Sequence, residues 1–296
     1  MWYALRSRES IATTDPAVAS GSPPSVAASS GAADMSAGAP LPKADAPLSE
    51  SLSLLESRSK AGDAAASCRI ALDAVSCREF ATSGEVIGDM ETMAARLPDG
   101  VEDDVDFISR LEARRDRASV LCRGIDSGWV ERNAWRYMLR AAQQGDLRMA
   151  VRFATDPPMD RERFLDNPEA WRAYAENARR LLESAAAQGE ISAWYYLQQA
   201  YAGRPVLIGM PDSIQADPEN AAYHAMVLRS FADAATVRDL DGQLGDLRKL
   251  FDDARWSGIE RRAQVRIAQG FPEAASGPVD FDSGVFANHG VDSCIQ

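Results

Sequence analysis

The chain is predicted to be all-α, a right-handed αα-hairpin solenoid that follows a disordered N-terminal linker. The first observation is the stretch 179–205, RRLLESAAAQGEISAWYYLQQAYAGRP. An apolar helix face (Leu181, Leu182, Ala185, Ala186) runs to a Gln188-Gly189 turn. A second amphipathic segment (Trp194, Leu197, Tyr201) then stops at Gly203 and Pro205, residues that end helices. The second observation is that this hairpin recurs about Gly62, Gly145, Gly189 and Gly258. Seven residues before each glycine stands Leu55, Met138, Leu182 or Phe251, and four before stands Arg58, Ala141, Ala185 or Ala254. A fixed period marks units that bury their apolar faces only against neighbours. The third is the lack of any alternating strand run.

Taken in order, residues 1–47 form the linker, 48–275 the helical-repeat domain and 276–296 an irregular tail. Met1 to Arg8, MWYALRSR, has the look of a membrane helix's last turn, with interfacial aromatics and flanking cations. It is too short to span, since a bilayer needs roughly 20 apolar residues. An anchor or signal upstream of residue 1 is therefore expected, against the plain alternative of an ordinary disordered N-terminus. The Ala/Ser/Gly/Pro tract from Ile11 to Pro47 cannot bury enough surface to offset its ordering entropy.

Leu52, Leu54 and Leu55 open the first helix, and Asp63 to Cys77 continues after Gly62. Val86 to Leu97 and Val105 to Cys122 are separated by Pro98-Asp99-Gly100, a turn signal. Trp129 to Gln144 and Leu147 to Ala154 end at the Asp156-Pro157-Pro158 break. Asn167-Pro168-Glu169 starts the helix to Gln188, with a capping side chain, a first-turn proline and an early acid. Ile191 to Tyr201 follows. Asp217-Pro218-Glu219 repeats the recipe for a helix through Phe231, and Leu240 to Ile267 holds a last pair about Gly258.

The best unit has Ala185, Ala186, Gly189, Ala193, Leu197, Tyr201 and Gly203 in register. Ala141, Ala142, Gly145 and Phe153 match in part, as do Gly62 and Ile70. This pattern resembles the Sel-one-like repeats, which are related to tetratricopeptide repeats. The resemblance implies protein–protein interaction rather than chemistry.

The four cysteines give a test of compartment. Cys68 and Cys77, nine residues apart on one helix, lie on opposite faces and roughly 13 Å apart along its axis. A disulfide needs Cα atoms within about 7 Å, so these two should not pair with each other. That leaves Cys77–Cys122 with Cys68–Cys294, or Cys68–Cys122 with Cys77–Cys294. The first is favoured because a neighbouring helix packing back brings its end close to the end of the first. An even count points to an oxidising compartment, periplasm or cell envelope, against a cytoplasmic protein with four free thiols. No cofactor and no metal site is expected: the cysteines lack zinc spacing, and no histidine lies near them.

A net charge of −12 argues against nucleic-acid and anionic-lipid partners, since both need basic patches. Of the two histidines, His224 sits on a helix among Tyr223, Met226 and Val227 and reads as structural. No nucleophile stands in a recognised turn. Consecutive Trp194, Tyr195 and Tyr196 cannot all face inward, because successive helical residues turn by about 100°. They are the predicted contacts for a protein or peptide partner. The expected function is a non-catalytic, exported and tethered interaction module. The alternative is an envelope enzyme, or an enzyme accessory domain acting on cell-wall polymer through an unrecognised carboxylate. Two close carboxylates in a cleft, one of them desolvated, would favour that alternative.

Overall fold

The structure, a computed structural model, describes residues 40–43, 46–94, 102–160, 164–204, 214–270 and 294. These residues hold ten helices and no strand. They are α1 Leu48–Lys60, α2 Ala64–Ala94, α3 Glu102–Leu121, α4 Ser127–Gln143, α5 Leu147–Thr155, α6 Pro168–Ala187, α7 Ile191–Tyr201, α8 Pro218–Leu228, α9 Ala234–Arg248 and α10 Asp253–Ala268. The predicted linker 1–47 lies outside the described residues except for 40–43 and 46–47. Of the tail, 276–296, only Cys294 is described, and the Pro98-Asp99-Gly100 turn also falls outside them.

Three hairpins are built on the same local rule. Gly62, Gly145 and Gly189 take φ of +98°, +102° and +94°, a left-handed conformation that costs a side chain but not glycine. Each time the N–H after the glycine reaches back five residues. Asp63 bonds Arg58 O, Asp146 bonds Ala141 O and Glu190 bonds Ala185 O, at 3.1, 3.0 and 3.0 Å. The acid that makes this bond then caps the next helix. Asp63 accepts from Ala66 N, Asp146 from Met149 N and Glu190 from Ser192 N. One Gly-acid pair thus ends one helix and starts its partner, satisfying free carbonyls and free N–H groups together.

Two segments differ from the sequence reading. Asp63–Cys77 and Val86–Leu97 are not separate helices, because α2 runs unbroken from Ala64 to Ala94. Ser83-Gly84 between them carries no proline, and a glycine alone permits a turn without forcing one on a helix already under way. Gly258 is no turn: it lies inside α10, and the chain reverses instead at 249–252, where Asp252 caps α10 by accepting from Arg255 N. This explains why Arg266 stands where the repeat pattern calls for an apolar residue.

These two classes of glycine should respond oppositely to substitution. Gly145→Ala is expected to destabilise by about 1 kcal/mol or more, because alanine pays for positive φ. Gly258→Ala is expected to stabilise by about 0.5–1 kcal/mol, since helical φ suits alanine. Its added methyl would meet only the Arg261 guanidinium, at 3.9 Å. Urea unfolding of the two variants checks both signs.

Helices pack mainly on chain neighbours: α1 on α2, α2 on α3 and α4, α4 on α5, α5 on α6, α6 on α7, and α7 on α8. α9 continues the series on α8, and α10 breaks it by passing over α9 to pack on α8 as well. Leu55, Met138 and Leu182, the residues seven before the true turn glycines, are fully buried, as are Ala141 and Ala185. Tyr174 is buried with them; its hydroxyl donates to Ala154 O at 2.8 Å, so no polar atom is stranded. Gln144, just before the second turn glycine, sews two hairpins together. It accepts from Ser67 Oγ at 2.6 Å and donates to Ser59 O at 2.8 Å.

Two disulfides close the array: Cys77–Cys122, with Cα atoms 5.3 Å apart, and Cys68–Cys294, 5.7 Å apart. The first joins α2 to the residue after α3, and the second ties Cys294 to α2. On the same helix, buried Arg69 pairs with buried Asp73 through Nε and Oδ2 at 2.6 Å. Its two Nη atoms donate to the carbonyls of Pro42 and Lys43 at 3.1 and 3.2 Å. Arg58 donates to Pro40 O at 3.2 Å, and Leu41 packs on the core. Residues 40–43, placed in the linker by composition, are therefore part of the folded body.

Candidate functional site

A cleft of about 360 Å³ opens where α6, α7, α8 and the end of α10 meet. Its floor is Trp194, Leu197 and Tyr201, three residues of one α7 face. From α6 come Glu183 and the small side chains of Ala186 and Ala187, which leave room for the space. Tyr223 and His224 enter from α8, and Arg266 and Gln269 close it from α10.

Each side chain is held by a partner that decides what it can offer. The Trp194 indole N–H donates to Ala186 O at 2.8 Å. The His224 ring lies against Trp194, Tyr223 and Tyr201, with centroids 4.6, 5.2 and 5.3 Å away. Its Nδ1 is 2.8 Å from Asn220 O. A carbonyl only accepts, so Nδ1 carries the proton and Nε2 is left with a lone pair. Burial pushes the imidazole down to about 4, so the ring is neutral at pH 7. Glu183 Oε1 accepts from Arg179 Nε at 2.8 Å and from Tyr201 Oη at 3.1 Å. Burial and this carboxylate push the Tyr201 phenol up, which keeps it a donor.

Two arginines of α10 lie on aromatic faces. Arg266 sits 5.6 Å from the Trp194 centroid and donates to Gly270 O at 2.9 Å. Arg262 sits 4.9 Å from the Tyr223 centroid and donates to Glu219 at 2.7 Å.

The aromatic triplet is placed differently from the sequence reading. Trp194 and Tyr196 are each only 4% exposed, so neither is a surface contact. Tyr195 is half-buried, edge-on to Tyr196 at 5.4 Å. A short helix covered on several sides by α5, α6 and α8 faces inward over most of its circumference, and of the three consecutive rings Tyr195 alone is left partly exposed, in keeping with a turn of about 100° per residue. Trp194 remains in the site as a wall of the cleft. Glu183, Tyr223 and Arg266 were missed, and His224 was read only as structural. One signal was available: Arg266 breaks the apolar pattern where the cleft takes a cation.

Carboxylates pushed upward lie elsewhere. Burial raises Asp73 to about 6, and it is paired with Arg69. Burial also raises Asp146, which is occupied as the α5 cap. Among the described residues, no three His, Cys, Asp or Glu side chains gather as a metal site. No described helix is long and apolar enough to cross a membrane. No protein-family model matches the chain, and comparisons with curated proteins and with solved structures likewise find no match.

Proposed function

We propose that the chain is a non-catalytic helical-repeat adaptor, an αα-hairpin solenoid of Sel-one-like kind, which binds a protein or peptide partner in the α6–α7–α8–α10 cleft. The observation that carries this reading is the cleft's composition. Its walls are aromatic, and its one carboxylate among the described residues, Glu183, is already engaged by Arg179 and Tyr201. A two-carboxylate glycoside hydrolase, the kind that would cut cell-wall polymer, needs a second carboxylate close by, one of the two desolvated. Aromatic side chains with satisfied polar edges are what interface pockets use.

The two disulfides indicate an oxidising compartment. The periplasm or cell envelope is the proposed one. A photo-crosslinking side chain at Gln269, on the cleft's exposed rim, is expected to capture a discrete protein from envelope extract. The same group at Leu54, exposed on α1, is the control. Equal capture at both positions, or none at Gln269, would sink the adaptor reading.

A further inference from the structure

Apart from Arg266, the groups that line the cleft are mostly electron-rich, and the chain fills it with its own cation. The Trp194 N–H is turned away onto Ala186 O, so what faces the space is the ring's π cloud. The His224 proton is likewise turned onto Asn220 O, leaving the Nε2 lone pair. Glu183 brings a carboxylate, whose Oε1 is shared by Arg179 and Tyr201. The carbonyl-rich ends of α6 (Ala186, Ala187) and α10 (Gln269, its C-cap) border the same space. A π face, a lone pair, a carboxylate and two helix C-termini together favour a cation. Arg266 sits where that cation belongs, its guanidinium over Trp194, and it donates to Gly270 O just past the helix end.

We propose that Arg266 is an internal stand-in for the partner's cation, and that the cleft takes an arginine or lysine side chain of a basic peptide segment by displacing it. This rests on the adaptor reading and names the partner's chemistry. The net charge of −12 supports the same assignment, since it draws a basic segment toward the chain. Arg266 lies in the last turn of α10, so it can swing away without moving the core. While it occupies the site it lowers the apparent affinity by the fraction of time the site is closed.

The test uses the full disulfide-bonded chain and follows the Trp194 indole N–H resonance, assigned by its loss in Trp194→Phe. The probe is acetyl-Gly-Arg-Gly-amide, with citrulline and glutamate counterparts in place of the arginine. The arginine peptide is expected to shift the resonance saturably, and its neutral citrulline isostere is not. Arg266→Ala, with an unchanged melting temperature, should bind the arginine peptide about fivefold tighter. Glu183→Gln should bind it several-fold more weakly. Equal binding of citrulline and arginine peptides, or no saturable shift in Arg266→Ala, would overturn the proposal. So would a glutamate peptide that binds and is lost in Arg266→Ala, because Arg266 would then be a docking group for an anion. Capture at Gln269 together with a silent arginine peptide refutes the cation assignment alone. A binding peptide without capture refutes the adaptor reading alone.

Discussion

Reduction of the disulfides is expected to cost the fold several kcal/mol, the largest change any single treatment should produce. Cys77 and Cys122 are 45 residues apart, and Cys68 and Cys294 are 226 apart. In the chain-entropy account, closing such loops removes about 4 and about 5 kcal/mol of freedom from the unfolded chain. The smaller loop lies wholly inside the larger, so the effects should not add fully. Cys77→Ser with Cys122→Ser is expected to lower the unfolding free energy by about 2–4 kcal/mol. Cys68→Ser with Cys294→Ser should cost at least as much and also release Cys294 from α2. Urea midpoints of the two double variants, with and without reductant, decide the matter. A wild-type midpoint indifferent to reductant would contradict both pairings.

The buried Arg69–Asp73 pair should give the next largest effect. Both side chains are essentially inaccessible, and among the described residues Asp73 Oδ1 has no hydrogen-bond partner. Asp73→Ala strands a buried guanidinium and is expected to cost about 3–5 kcal/mol, whereas Arg69→Met with Asp73→Leu recovers most of that loss. The pair also has a pH signature. Burial raises Asp73 from 3.8 to about 6, so the folded chain holds this proton more tightly than the unfolded one. Its stabilisation is complete below about pH 4 and is lost as pH rises through about 6; going from pH 7 to 5 regains about 1 kcal/mol.

His224 runs the other way. Its value falls from 6.5 to about 4, so the unfolded chain takes the proton first. That stabilisation is complete above about pH 6.5 and is lost as pH falls toward 4, costing about 2 kcal/mol between pH 7 and 5. The two terms nearly offset each other in the wild type. Asp73→Asn should therefore lose stability steeply on acidification, and His224→Gln should gain it. Unfolding curves at pH 5 and pH 7 for the three proteins test both signs; identical pH responses would refute both assignments.

Local chemistry was legible in the residues alone. Gly62, Gly145 and Gly189 could be read as turns because each follows the same apolar spacing, with Leu55, Met138 or Leu182 seven residues before it; a glycine-acid pair without that spacing, such as Gly245-Asp246, stays inside its helix. Helix ends at Asn167 and Asp217 were visible because each cap bonds its own next turn. Gly258 misled because glycine permits a turn without requiring one, and Asp252 supplied a stronger start six residues earlier.

What only the tertiary structure decided depends on distant segments meeting. Trp194 and Tyr196 became buried because α7 is enclosed by helices from both sides in sequence. Pro40–Lys43 became part of the body because Arg69, more than twenty residues later, needed acceptors for a buried charge. The cleft gathers Glu183, Trp194, His224 and Arg266 from four helices, and no spacing along the chain encodes that meeting. Sequence sets the bonds a residue makes with its own turn of chain. Burial, and with it the chemistry of the cleft, belongs to the packing of the whole.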